Sequence, residues 1–219
     1  MPTRGIIFDI GRVIVRINPR RALQALRPGS AGLSKAKAAA LALGGSMGLS
    51  EAIWAKIQDD ERWPDWQEGR MTPHEWHERV TSRLGVALPF EEFCAAWNSV
   101  LEPETILPES LFAALAARYR LAVLSNTDPL HSAYIEERFS FLRHFPVRIY
   151  SCAVGASKPS PAIYLAALRA LDLPAAEALY IDDVPEYVNA ARQLGCDAIH
   201  FQSAAQLSAE LARRGIPAT

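Results

Sequence analysis

Asp9 closes the apolar run Gly5-Ile6-Ile7-Phe8, and Ile10-Gly11-Arg12-Val13-Ile14-Val15 follows it. A carboxylate delivered to the mouth of a buried strand loses hydration, so it calls for a charged partner such as a metal ion. Three further polar groups stand at comparable places. They are Ser125-Asn126-Thr127-Asp128 after the apolar run 121–124, Ser157-Lys158-Pro159 ahead of a helical stretch, and Asp182-Asp183 after the run 178–181. Together they supply a nucleophilic carboxylate, a hydroxyl with backbone amides, a lysine and a pair of acids. Each type has a place in phosphoryl transfer. Two acids hold magnesium, the ion and the lysine offset phosphate charge, and the hydroxyl and amides grip the equatorial oxygens.

The elements that must position these groups follow from the pattern beyond residue 120. Short β-rich apolar runs at 121–124, 147–152, 178–181 and 198–201 alternate with helical stretches near 108–118, 159–171, 185–194 and 203–213. Such alternation implies right-handed crossovers and a parallel sheet covered on both faces, which residues 5–9 must join. Ligands bind beyond the carboxyl ends of such strands, where all four polar groups fall. Between the first strand and the helix near 108 no strand is evident. Ala, Leu, Glu and Trp recur there at helical spacing, with helices expected at 18–27, 33–43, 50–59, 72–84 and 89–99. The expected fold is therefore α/β, a Rossmann-like doubly wound parallel sheet core (residues 1–16 and 104–219) with an inserted all-helical cap domain (residues 17–103). All five tryptophans, Trp54, Trp63, Trp66, Trp76 and Trp97, fall in the cap. One module then does the chemistry while the other shapes access.

The 219 residues are 50% hydrophobic and 21% charged, enough to bury a real core. A net charge of −1 with scattered Lys and Arg leaves no footprint for nucleic acid or an anionic membrane. No apolar run approaches a bilayer span. Cys94, Cys152 and Cys196 lie far apart without CxxC spacing, which fits reduced thiols. With no apolar leader at the start, the expected location is the cytoplasm. The expected partner is a phosphorylated small molecule, and the chain is expected to be a monomer or homodimer.

On these residues the chain resembles the haloacid dehalogenase superfamily of hydrolases, in its subfamily with a helical cap of the first type. In detail it is similar to the sugar-phosphatase-like (α-D-glucose-1-phosphate phosphatase-like) branch, whose first motif reads FD(L/I)GxV, second LSNT and fourth (F/I)DD. Here those are Phe8-Asp9-Ile10-Gly11-Arg12-Val13, Leu124-Ser125-Asn126-Thr127 and Ile181-Asp182-Asp183. The resemblance implies an Mg2+-dependent phosphatase of small metabolites such as sugar phosphates, in which Asp9 forms an aspartyl-phosphate. It further implies that Gly11 lends magnesium only its backbone carbonyl, that Ser125 and Asn126 bind the phosphoryl group, and that Lys158 screens Asp9 from the phosphate. Asp183 becomes the acidic metal ligand, with Asp182 ligating through water or orienting the site.

Three departures qualify that pattern. Most family phosphatases carry a second Asp two positions after the nucleophile, as acid to the leaving alkoxide and then base to water; here Gly11 stands there. Such help is worth a factor of about a hundred to ten thousand, so a sugar 1-phosphate or acyl phosphate, whose leaving oxygen departs readily, suffers least. Arg12 replaces a small or amide residue, and two readings stay open: it points to solvent, or it lies by the pocket and binds an anionic substrate. Tyr187 replaces an Asn or Asp, which predicts looser support around magnesium. Two alternatives follow. A 2-haloacid dehalogenase needs no acid at Gly11 but has no use for Asp182 and Asp183, whereas a non-catalytic metabolite-binding or interaction protein is favoured by Gly11 and Tyr187.

Other features carry less. Gly44-Gly45-Ser46-Met47-Gly48 follows a helical stretch and lacks the GxxxxGK(S/T) spacing, so it reads as a turn. His74 and His77 are three apart rather than the four of a zinc helix, so their segment reads as an ordinary amphipathic helix. Trp63 and Trp66 flank a Pro-containing loop and either stack on a sugar ring or belong to the core. His131 either caps a helix or approaches the site.

Overall fold

The computed structural model describes residues 2–25 and 47–217. Five parallel strands form its centre: β1 (Gly5–Phe8), β4 (Arg120–Ser125), β5 (Val147–Tyr150), β6 (Ala178–Asp182) and β7 (Asp197–His200). Their order is β5-β4-β1-β6-β7. The expected doubly wound sheet is thus present, with β1 in the middle. The runs are apolar without alternation because both faces are covered. Ile6, Phe8, Leu121, Val123, Leu179 and Ile181 face one layer of core, while Ile7, Ala122, Leu124, Ala178 and Tyr180 face the other. Phe8 anchors the first layer edge-on to Phe112 and Phe145, with ring centroids 5.7 and 5.8 Å away.

Register places the chemistry. Phe8 pairs with Val123 on one side and Ile181 on the other, so Asp9 falls level with Leu124 and Asp182. The Asp9 amide donates to the Ile181 carbonyl at 2.9 Å, holding the strand end in line.

The helices around the sheet are α6 (Glu109–Ala116), α7 (Pro129–Arg138), α8 (Ser151–Val154), α9 (Pro161–Leu171), α10 (Pro185–Gln193) and α11 (Ala204–Arg213). Of these, α7 and α8 were not expected, and the strand expected to reach 152 stops at Tyr150. The start of α7 is nonetheless well marked. Asp128 caps it by accepting from the Leu130 and His131 amides, and Pro129 takes the first turn.

Between β1 and α6 the chain holds α1 (Pro19–Ala25), α2 (Met47–Gln58), α3 (Trp63–Gln67), α4 (Pro73–Leu84) and α5 (Phe90–Asn98). Helix α4 lies close to the expected 72–84, starting at a Thr72–Glu75 capping box and ending at Gly85 in the left-handed region at φ 60°. The expected helix 33–43 and residues 44–46 of the glycine turn lie outside the described residues. Ile57, Trp66, Met71, Trp76, Val80, Leu88, Phe93 and Trp97 give this segment a core of its own.

One correction concerns strands. Val15–Ile17 (β2) and Leu101–Thr105 (β3) pair antiparallel and bracket the helical segment. The ribbon is hard to read in sequence because β2 has three residues and β3, Leu-Glu-Pro-Glu-Thr, carries a proline that suits only an edge. Among the described residues no helix is long and apolar enough to cross a membrane. The three cysteines are free.

Candidate active site

Two strand ends deliver three carboxylates to one place. Asp9 follows β1, Asp182 ends β6 and Asp183 follows it, with one ligand oxygen from each within 4.8 Å of the others. Between two of them lies Lys158, whose Nζ donates to Asp9 Oδ1 at 2.6 Å and Asp182 Oδ2 at 2.7 Å. It also donates to the Leu124 carbonyl at 3.3 Å and sits 5.0 Å from the centre of the Tyr187 ring. The side chain is 2% exposed, so the ammonium has exchanged water for these partners.

The site's electrostatics follow from burial against pairing. Burial pushes Asp9 up to about 7, and Lys158 pulls against it while Asp182 and Asp183 add to the rise. Asp183 is also raised, by burial first and Asp182 second. Burial works against the Lys158 charge, but Asp9 and Asp182 outweigh it and the pKa rises. Asp182 is fully committed: Oδ2 accepts from Lys158 and from the Tyr180 hydroxyl, and Oδ1 from the Val184 amide at 2.8 Å. Its oxygens orient the lysine and the loop.

Asn126 braces the lysine from the other side. Its Oδ1 accepts from the Lys158 amide at 2.8 Å and its Nδ2 donates to the Lys158 carbonyl at 3.0 Å. Ser125 is buried on the cavity wall, and among the described residues its hydroxyl has no hydrogen-bond partner. Gly11 also lines the cavity. A Cβ built there would meet Ile17 Cγ1 at 3.8 Å and Asp9 Oδ2 at 3.9 Å, ordinary contacts, so the glycine is not demanded by space.

All seven residues expected at the site, Asp9, Gly11, Ser125, Asn126, Lys158, Asp182 and Asp183, line one cavity of about 210 Å³. The two readings of Arg12 merge, for its side chain is 63% exposed yet reaches Asp183 Oδ2 at 4.0 Å on the rim. Its φ of 59° is one that glycine adopts without penalty, so an arginine there costs backbone energy. Tyr187 also lines the cavity, its hydroxyl 3.5 Å from Asn126 Nδ2. The cavity's other wall comes from the helical segment, with Trp54, Gln58, Trp63 and Gln67. Trp63 and Trp66 therefore part company: they sit on a helix rather than a loop, Trp63 on the wall and Trp66 fully buried. His131 is both near a helix start and on the cavity lining. Outside the site, His74 stacks on Phe90 at 3.8 Å and His77 bonds the Leu88 carbonyl at 2.6 Å. They belong to packing.

The donor set suits a hard divalent cation: three carboxylates converge, one ammonium bridges two of them and offsets only one of their charges, and Asp183 lies beside them with Arg12 4.0 Å away.

A Rossmann-like sheet with a carboxylate cluster and a buried lysine at its strand ends marks a class of α/β hydrolases. The chain belongs to the haloacid dehalogenase-like hydrolases, a family that matches residues 3–195. It is similar to the D-ribitol-5-phosphate phosphatase of Bacteroides thetaiotaomicron, 23% identical over 216 residues that cover 95% of this chain and 96% of that protein. It is also similar to a sesquiterpene phosphatase of Aspergillus oryzae, 23% identical over 158 residues, 71% of this chain and 80% of that protein. Among solved structures, a haloacid dehalogenase family enzyme from B. thetaiotaomicron matches with a TM-score of 0.75 at 20% identity, covering 96% of this chain and 99% of that one. The same enzyme in complex with magnesium and inorganic phosphate matches at 0.71 and 20% identity, over 92% and 96%. These structural likenesses bear on the fold.

Proposed function

We propose that the chain is an Mg2+-dependent phosphatase of small phosphorylated metabolites, sugar phosphates foremost, working through an aspartyl-phosphate on Asp9. The observation that carries this is Lys158 held 2.6 Å from Asp9 and 2.7 Å from Asp182, with Asp183 beside them at the floor of one cavity. The likeness to phosphatases along the chain supports it.

Asp9 Oδ1 is engaged by Lys158, which leaves Oδ2 to attack phosphorus. The bond to the leaving oxygen breaks and that oxygen departs with the electron pair. Gly11 supplies no proton, so the alkoxide takes one from water. A second water then cleaves the acyl phosphate and restores Asp9. The Ser125 hydroxyl and the Asn126 backbone amide bind the phosphoryl oxygens, since the Asn126 side chain already grips Lys158. Lys158 screens Asp9 from the incoming dianion. Asp9, Asp183 and the Gly11 carbonyl would hold magnesium, which when bound would offset phosphoryl charge. Asp182 orients Lys158, the second of the two roles expected for it. Arg12 adds a cation at the rim that favours anionic substrates. The helical segment 17–103 acts as the cap, with Trp54 and Trp63 against the leaving group.

The test is a panel of phosphorylated metabolites and 2-haloacids with magnesium or chelator. Phosphate release that needs magnesium supports the proposal. Halide release that persists in chelator makes the protein a dehalogenase, and tight binding with no turnover makes it a metabolite-binding protein.

A further inference from the structure

The loop that carries Ser125 and Asn126 is fastened to the helical segment at its next two residues. Thr127 and the Gln67 carbonyl share the Ser151 hydroxyl: Ser151 Oγ lies 2.6 Å from the Gln67 carbonyl and 2.9 Å from the Thr127 carbonyl, and accepts from the Thr127 amide at 2.9 Å. Asp128 holds Trp97, whose Nε1 donates to its Oδ2 at 3.1 Å. That same oxygen lies 2.8 Å from His131 Nδ1, and His131 Nε2 lies 3.0 Å from the Trp97 carbonyl. Both imidazole nitrogens thus face acceptors, a carboxylate and a carbonyl, and only the imidazolium donates to both. Burial disfavours that charge, but Asp128 and the Trp97 carbonyl outweigh it and raise the His131 pKa. The ring also stacks on Trp97, centroids 5.4 Å apart at 15°.

Trp97 is therefore gripped three ways by residues of the strand-end side. It is in turn the hub of the aromatic cluster, 5.1 Å from Trp54 and 6.3 Å from Trp63, the two indoles on the cavity wall. Packing of this density transmits displacement, because side chains in contact cannot shift singly. Nothing in the phosphoryl chemistry uses Asp128 or His131, and a buried ion pair of this kind is weak as a source of stability but strong as a means of fixing one geometry.

We propose that Asp128 and His131 are positioning residues that seat Trp97, and through it the Trp54 and Trp63 wall, so that the cavity recognises the group esterified to the phosphate. This rests on the phosphatase reading for its ligand. The contact to phosphate itself comes from Ser125 and Asn126 rather than from the pair, so whole esters and bare phosphate should respond differently.

The test compares wild type, His131→Gln and Trp97→Phe, the last keeping an aromatic ring and the carbonyl while losing the indole N–H together with the fused ring. Glucose 1-phosphate and p-nitrophenyl phosphate serve as esters and inorganic phosphate as the bare probe. Both variants should raise KM for the esters about tenfold, the worth of a charge-assisted hydrogen bond, with kcat and the inhibition constant of inorganic phosphate within about twofold. Tryptophan emission of the ligand-free protein should rise in His131→Gln, since the stacked imidazolium quenches Trp97. Equal losses for esters and for inorganic phosphate would mean the pair shapes the phosphate loop instead, and unchanged emission with unchanged KM would make it mere packing. Either result overturns the proposal. If wild type neither hydrolyses esters nor binds phosphate, the phosphatase reading falls, and the emission of His131→Gln still decides whether the pair seats Trp97.

Discussion

The cavity has a floor and a wall built on opposite terms. The floor is made of strand ends, where backbone register brings Asp9 level with Asp182 and a lysine bridges them at 2.6 and 2.7 Å. The wall is made of indoles on short helices, held by packing and by the Asp128–His131 grip on Trp97. Floor positions are set by strand register and by the hydrogen bonds around Lys158, whereas wall positions are set by shape and admit graded change. Chemistry and selectivity should therefore separate by mutation.

The largest expected effect is on the floor. Asp9→Asn should cost several orders of magnitude in turnover, because the nucleophile is lost. The same change should stabilise the metal-free protein at pH 8. Asp9 rises from 3.8 to about 7 on folding, so the folded state keeps a proton that the unfolded chain releases between those values, and stability is lost as pH climbs through them. An uncharged Asn escapes that loss. Thermal melts at pH 8 and pH 5 check it: the gain at pH 8 should shrink at pH 5, which lies inside that window, and a variant less stable at both would break the account of a strained floor.

Next in size is Gly11→Asp. The Cβ has room, with its nearest contacts at 3.8 and 3.9 Å, so an acid can enter beside Asp9. It should speed primary alkyl phosphates by about a hundredfold relative to aryl and anomeric ones. Equal wild-type rates across those three leaving groups, with chemistry rate-limiting, would show that another group supplies the proton.

Magnesium affinity should follow the floor's protonation. Below pH 7 a bound ion must displace the Asp9 proton, so apparent affinity should fall by about tenfold per pH unit, and above it flatten. Calorimetric titration between pH 5.5 and 8.5 measures this, and Asp183→Ala should weaken binding at every pH. A pH-independent affinity would remove Asp9 from the ligand set.

The smallest effect belongs to the wall. Trp63→Ala should raise KM for sugar phosphates by about tenfold while leaving phosphate inhibition unchanged, the reverse of a floor mutation. A matching loss of phosphate affinity would erase the distinction between the two regions.

Most of the floor was legible in sequence because its acids and its serine end apolar runs, and buried parallel strands are continuous apolar runs with a polar stop. Asp9, Ser125 and Asp182-Asp183 announce themselves this way, as did the five-stranded sheet that joins them, while Lys158 stood out as a lysine before a proline ahead of a helical stretch. Helix α7 had its signal too, Asp128 before Pro129, but the cap was not read as one. Other features had no local signal. The β2–β3 ribbon pairs residues about ninety apart over three to five positions, too short for any period to show. Whether Asn126 faces phosphate or braces Lys158, whether Trp63 or Trp66 reaches the cavity, and that His131 joins Asp128 to Trp97 depend on which side chains meet across the fold. Periodicity and end signals act within a dozen residues and so were determined by the sequence alone. The pairing of groups 30 to 150 positions apart was decided only by the packed tertiary structure, because only packing selects one partner among many of the same chemistry.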